Sequence, residues 1–280
     1  MNEIELKAAQ TLIGLALSED VGEGDITTDN IIPAETRRKA KMVAKADGIV
    51  AGLPVAEMVF KSLDPDLVWI VLTPEGSKVK RGDVMVEFEG TYRALLTGER
   101  TALNFLQRLS GIATMSGKYA DAVKDYKTII LDTRKTLPGF RMLDKYAVKT
   151  GGASNHRIGL YDMAMIKDNH IEVAGGITKA VNAVRSNIKE GIKIEVETTT
   201  IAQVQEAIDA GADIIMLDNM DNETMRKSVE LIAGRAKVEA SGNMTLERLR
   251  EVAATGVDYI SIGALTHSVS ALDISQRLED

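Results

Sequence analysis

Cysteine is absent from this 280-residue sequence. That excludes disulfides, thiolate metal ligands and a cysteine nucleophile, and it fits a reducing compartment such as the cytoplasm. Aromatic residues make up only 4% of the chain and the formal net charge is −7, a balance that argues against general nucleic-acid binding. No apolar run approaches the roughly 20 residues needed to cross a bilayer, so no integral membrane protein is expected. The opening MNEIELKAAQ is acidic and helical in pattern, unlike a secretory signal. What remains, 45% hydrophobic and 27% charged, is the composition of an ordinary globular protein with a sizeable core and one or two domains.

Positive charge concentrates in one stretch. From Asp132 to His170 the chain carries Arg134, Lys135, Arg141, Lys145, Lys149, Arg157 and Lys167 against Asp132, Asp144, Asp162 and Asp168, together with His156 and His170. Several of these cations stand beside Gly and Pro, in TRKTLPG and GGASNHR, where the backbone turns. Polar groups held on turns between apolar segments are a common way to build a site. The stretch reads as a pocket for a small, multiply anionic ligand; the plainer reading is a surface loop with scattered charges.

Taken in order, residues 4–18 have helical apolar spacing. The acidic loop EDVGEGDITTDN follows, without the spacing or closing Glu of an EF-hand. From Arg38 to Gly90 come short β-type segments interrupted by a helix near Pro54–Ser62. The phrase EGSKVKRGDVMVEFEG has the corners of a lipoyl-type module but lacks the carrier lysine. A helix is expected over 92–109 with Leu95, Leu103 and Leu106 on its apolar side. Arg100 lies in it, open to a plain reading as an exposed partner of Glu99.

Beyond Ser110 the rhythm changes. Six apolar segments end in polar residues: TIILD, MAMIK, IKIEVE, DIIMLD, AKVEAS and DYISIG. Helical patterns lie between them and stop at Gly191, Gly211 and Gly256, as left-handed C-terminal caps require. Repeated βα units with near-continuous apolar strands imply a parallel sheet covered by helices, an α/β architecture best read as a (β/α) barrel or an incomplete one. No GxGxxG follows a strand, which weakens a dinucleotide-binding alternative.

In such barrels the site forms at the carboxyl ends of the strands. Those ends are Asp132, Lys167, Glu197, Asp218, Ser241 and Gly263. Each alone could be a structural ion pair. Together, a lysine and several carboxylates at one mouth would be costly without ligands or one another. Glu197 and Asp218 are hard oxygen donors suited to Mg²⁺. ASGN (240–243) and SIGA (261–264) offer small residues and backbone amides where barrels bind phosphate, with Asn243 and His267 as further donors, although His267 is equally readable as a helix cap.

At this point the motifs DTRKTLPGFR, KTGGASNHRIGLYDMAMIKDNHI, EVE, MLDN, EASGN and SIGALTHS, in this order, resemble the quinolinate phosphoribosyltransferases over nearly the whole chain. The resemblance implies transfer of phosphoribosyl from phosphoribosyl pyrophosphate to quinolinate, with loss of pyrophosphate and CO₂, to give nicotinate mononucleotide for NAD synthesis. It implies an N-terminal α/β sandwich (residues 1–110, with 268–280 packing on it as a returning helix) and an incomplete (β/α) barrel (111–267). It also implies a cytoplasmic homodimer or hexamer in which Arg100 enters the neighbour's site. By position, Arg134, Lys135, Arg157 and Lys167 would bind the two carboxylates, with Thr133, His156 and Arg100 completing that wall. Glu197 and Asp218 would hold Mg²⁺ and ribose hydroxyls, with Lys135 and Lys167 also counted as catalytic. Ser241, Gly242, Asn243, Ser261, Ile262 and Gly263 would cradle the 5′-phosphate, with His267 nearby. Rival readings are a Schiff-base lyase using Lys167, a non-catalytic phosphometabolite binder, and a related transferase for another planar acid.

Overall fold

The computed structural model describes residues 1–279. In chain order its elements are α1 (Glu3–Val21), α2 (Thr28–Ile31), β1 (Arg37–Ala44), β2 (Gly48–Ile49), α3 (Leu53–Leu63), β3 (Val68–Val71), β4 (Lys78–Val79), β5 (Val84–Thr91), α4 (Tyr92–Thr97), α5 (Glu99–Ala122), β6 (Ile129–Leu131), α6 (Arg141–Thr150), β7 (Ala164–Ile166), α7 (Asp168–Ala174), α8 (Ile177–Asn187), β8 (Ile194–Thr198), α9 (Ile201–Asp209), β9 (Ile214–Asp218), α10 (Asn222–Ile232), β10 (Lys237–Ser241), α11 (Leu249–Ala253), β11 (Tyr259–Ser261), α12 (Ala264–His267) and β12 (Ile274–Glu279). They form two compact units. One comprises Met1–Gly117, Thr136–Gly152 and the chain from Leu265 onward; the other comprises Lys118–Lys135 and Ala153–Ala264.

The first unit is built on an antiparallel sheet of order β12-β1-β5-β3. Alternation sets its two faces. Ala40, Met42, Val86 and Phe88 turn inward and are buried. Lys39 and Lys41 stand opposite Glu89 and Glu87 on the other face, and Lys41 Nζ lies 2.8 Å from Glu279 of β12. On the covered side Phe60 of α3 and Trp69 of β3 each meet Phe88, with both pairs of ring centroids 5.0 Å apart. The returning C-terminal element is therefore a strand, not the helix expected from sequence: β12 pairs with β1 from Lys39↔Glu279 to Ala44↔Ile274. The helix expected over 92–109 is also divided, at Gly98, into α4 and the longer α5.

The second unit holds the six segments read as strands, as one parallel sheet of order β6-β11-β10-β9-β8-β7. Chain order runs around the sheet, while β6 and β7 end it, with no pairing between them among the described residues. This is an incomplete barrel. Ser154 lies parallel beside Leu131 of β6, taking the Asp132 amide at 3.1 Å and donating to Ile130 O at 2.9 Å. Gly211 and Gly256 have φ of +76° and +94°, the left-handed geometry expected where α9 and α11 give way to the next strand. Thr200 and Asp221 cap α9 and α10 by accepting from Gln203 N and Thr224 N.

Candidate active site

Strand register decides which side chains enter the barrel. Glu195 pairs with Ile214 and Glu197 with Met216, and Glu239 and Ser241 pair with Met216 and Asp218. Since alternate residues share a face, the inward rows are Met165 and Lys167, Glu195 and Glu197, Met216 and Asp218, and Glu239 and Ser241, with Ser261 and Thr133 on the remaining strand ends. The residues between them, such as Val196, Ile215, Leu217 and Ala240, are fully buried on the helix side.

These rows open into a cavity of about 380 Å³ lined by Thr133, Arg134, Lys135, His156, Arg157, Met165, Lys167, Glu197, Met216, Asp218, Glu239, Ser241 and Ser261. Ten residues expected at the site thus share one cavity. The basic stretch divides: Arg141, Lys145 and Lys149 lie on α6 in the first unit, and His170 spends its Nδ1 accepting the Lys167 amide at 3.0 Å. Arg100 is exposed on α5. His267 is exposed with Nδ1 2.7 Å from Ser268 Oγ, and does not line the cavity.

The cations enter from loops. The 154–157 segment, running beside β6, is fixed by Asp132, fully buried, which accepts from His156 N and Asn155 Nδ2 at 2.8 Å each. Asp162 closes the following turn by accepting from Ile158 N and Gly159 N. The Arg157 guanidinium donates to Met163 O at 3.2 Å, and burial followed by repulsion from Arg134 lowers its pKa. Lys167 Nζ lies 3.9 Å from Glu197 Oε2. Burial raises the Glu197 carboxyl above its usual range; Lys167 opposes the shift and neighbouring Asp218 adds to it.

At the ends of β9 and β10, Asn219 donates to Asp218 Oδ2 at 2.7 Å and accepts from Asn243 Nδ2 at 3.1 Å. Asn243 is thereby a brace for this corner, with φ +50°. A Cβ on Gly242, at φ +87°, would lie 2.1 Å from Asn219 Oδ1, so only glycine fits there. The Ile262 amide donates to Leu131 O at 2.9 Å and the residue is buried. This corrects its placing among the phosphate amides, because its N–H already serves the sheet.

Sequence reasoning missed Glu195 and Glu239. Both are fully buried, and His156 Nε2 lies 3.0 Å from Glu195 Oε2 and 3.3 Å from Glu239 Oε2. No other hydrogen-bond donor among the described residues reaches the four carboxylate oxygens. Burial, then Glu239, raises Glu195 to about 7. At His156 burial opposes protonation, but the two carboxylates outweigh it and raise the pKa to about 10. The Arg157 amide points at His156 Nδ1 from 2.8 Å, a position that cannot hold a second ring hydrogen. The ring therefore carries its hydrogen on Nε2, and the additional proton of the cluster resides on the carboxylate side. His156 lines the cavity, where it was expected in the wall, with both ring nitrogens engaged from behind.

Comparison with known proteins adds to this geometry. The family model described as quinolinate phosphoribosyl transferase, N-terminal domain, matches residues 25–110, and the corresponding C-terminal domain model matches 112–277. A probable nicotinate-nucleotide pyrophosphorylase (carboxylating) of Synechocystis is 48% identical over 94% of this chain and 90% of its own. Quinolinate phosphoribosyltransferase (decarboxylating) 1b of Nicotiana tabacum is 46% identical over 96% of this chain and 81% of its own. The crystal structure of NadC from Streptococcus pyogenes superposes with a TM-score of 0.93 at 40% identity, covering 97% of each chain.

Proposed function

The chain belongs to the quinolinate phosphoribosyltransferase family, and from that membership we propose how its cavity carries out the reaction. The activity is that of a nicotinate-nucleotide pyrophosphorylase: phosphoribosyl pyrophosphate and quinolinate give nicotinate mononucleotide, pyrophosphate and CO₂, a step of NAD biosynthesis. One observation carries the assignment of residues. Arg134, Lys135, Arg157 and Lys167 share a single cavity with Glu197 and Asp218, with Ser241 and Ser261 at neighbouring strand ends.

In this reading the four cations hold the two quinolinate carboxylates through charge-assisted hydrogen bonds. Thr133 adds a hydroxyl, and Arg100 of a second protomer completes the wall in a homodimer or a hexamer. Ser241, Gly242 and Gly263 receive the 5′-phosphate, braced by Asn243. Glu197 and Asp218 stand on adjacent strands, close enough for Asp218 to push the Glu197 pKa upward. A cation relieves that repulsion, and two carboxylates suit a metal that keeps several waters and substrate oxygens. They would hold Mg²⁺, which supplies charge neutralisation for the departing pyrophosphate.

The protein's own work is positioning and electrostatics. The carboxylates beside the ribose favour the positive charge that grows on its anomeric carbon as pyrophosphate leaves. The cationic wall holds the pyridine nitrogen towards that carbon. Once the nitrogen is alkylated, its positive charge stabilises the electron pair left on the adjacent ring carbon when the carboxylate departs as CO₂. A proton delivered from water then adds to that carbon and completes nicotinate mononucleotide. The reaction belongs to a cytoplasmic enzyme in this proposal.

The test is product formation from quinolinate and phosphoribosyl pyrophosphate with Mg²⁺, with nicotinate as the control acid. Nicotinate mononucleotide and CO₂ from quinolinate alone is the expected result. Activity with nicotinate and not quinolinate would remove the second-carboxylate assignment.

A further inference from the structure

Beneath the cavity, Glu195 of β8 and Glu239 of β10 project from alternate strands of the sheet onto one histidine, as side chains of alternate strands share layers inside a barrel. Two fully buried carboxylates are expensive to keep unless they do something for a neighbour. Here the neighbour is His156, gripped through Nε2 at 3.0 and 3.3 Å. Its Nδ1 in turn accepts the Arg157 amide at 2.8 Å. The imidazole is thus a strut: one edge is anchored in the barrel interior, and the other holds the main chain from which the Arg157 guanidinium departs. Asp132 fixes the same segment from the opposite flank through the His156 amide.

We propose that Glu195 and Glu239 are positioning residues that act through His156 to set where Arg157 meets the acid substrate. The proposal rests on the functional reading above for the identity of that acid, but not for the existence of the strut. Glu195 is the sharper probe, because it does not line the cavity and so can influence a ligand only through its neighbours. Holding a binding group off its productive place by about 1 Å costs on the order of 10²-fold in extreme cases.

The chain has three histidines, so the imidazole nitrogens of a ¹⁵N-labelled sample are readily assigned. In the wild type, His156 is expected to show a protonated Nε2 and an unprotonated, hydrogen-bonded Nδ1, both unchanged on saturation with quinolinate. Glu195→Leu is expected to perturb both signals and to raise KM for quinolinate by roughly 10–100-fold, with KM for phosphoribosyl pyrophosphate within about twofold. Glu195→Gln keeps an acceptor oxygen and is expected to restore most of the loss. A general packing defect would move both KM values together and would not be rescued by glutamine.

An unchanged KM for quinolinate in a folded Glu195→Leu variant overturns the proposal. So does a wild-type Nε2 signal that moves when quinolinate binds, a result that does not require the variant to fold. One equivalent of tightly held metal in the wild type that is lost in Glu195→Leu would replace the proton-linked strut by a metal site. A wild type that shows the expected nitrogen signals yet makes no product from quinolinate would sink the functional reading while leaving the strut in place.

Discussion

Lys167 is the residue on which the proposed chemistry is most exposed to test. It follows the last residue of β7, half-exposed at the mouth and 3.9 Å from Glu197, so its removal should not disturb the core. Lys167→Ala is expected to lower turnover by roughly 10²–10³, the usual loss on removing one preorganised electrostatic contact, with an unchanged unfolding midpoint. Retention of full activity would take Lys167 out of the wall. Glu195 gives a second test, in stability. Burial and then Glu239 raise its folded pKa from 4.5 to about 7, so the contribution of its protonated form is fully present below pH 4.5 and is lost as pH rises through 7. The stability difference between wild type and Glu195→Gln should therefore shift against the wild type over that window in denaturant titrations. Lys167, Glu197, Asp218 and Ser241 were legible because each is the polar residue that ends an apolar strand. Glu195 and Glu239 carry the same signal two positions earlier, where period-2 alternation points inward, but a buried carboxylate in mid-strand reads as an exception until its histidine is seen. That histidine comes from a loop about forty residues away in sequence from Glu195, and no local pattern joins them.

Among the elements, those with strong periodicity were legible: α1, α3, α9, α10 and the six parallel strands. The two-residue β4 was not, nor was β12. Its ISQRLE has a half-exposed pattern, and its partner β1 lies at the other end of the chain, so pairing decides a conformation that local preference does not. The break at Gly98 was hidden by apolar spacing that continues across it. β12 is anchored by Ile274, only 2% exposed. Ile274→Ala is expected to cost about 2–5 kcal/mol, the range for deleting buried methyl groups from a packed core. A loss below about 1 kcal/mol in equilibrium unfolding would show that the strand contributes little.

For the molecule as a whole, charge of one sign is gathered where charge of the other sign predominates. The chain is net −7, yet its cavity presents Arg134, Lys135, Arg157 and Lys167. Anionic substrates are attracted locally and repelled elsewhere, so kcat/KM for quinolinate should fall as ionic strength rises from about 0.01 to 0.15 M, where the screening length shortens from about 30 to 8 Å. Insensitivity to salt would mean that binding is limited by something other than encounter. Assembly has its own test. If Arg100 serves a partner's cavity, mixing inactive Arg100→Ala and Lys167→Ala chains should recover about a quarter of wild-type activity, since half the random dimers hold one intact site. No recovery on exchange of subunits would place Arg100 outside the shared wall.

The two sheets also dictate a timetable. Beyond its short bridge to Ser154, β6 finds its strand partner in β11, joining Ile129 to Tyr259, and β1 finds its second neighbour in β12, joining Lys39 to Glu279. Each closure links early chain to late chain, and such long loops must be brought together before any contact rewards the ordering. A growing polypeptide therefore carries β1 and β6 with a bare edge until its final portion emerges, and bare edges invite pairing with other chains. Maturation should be slow, and the yield of refolded protein should fall steeply as its concentration rises unless strand edges are shielded.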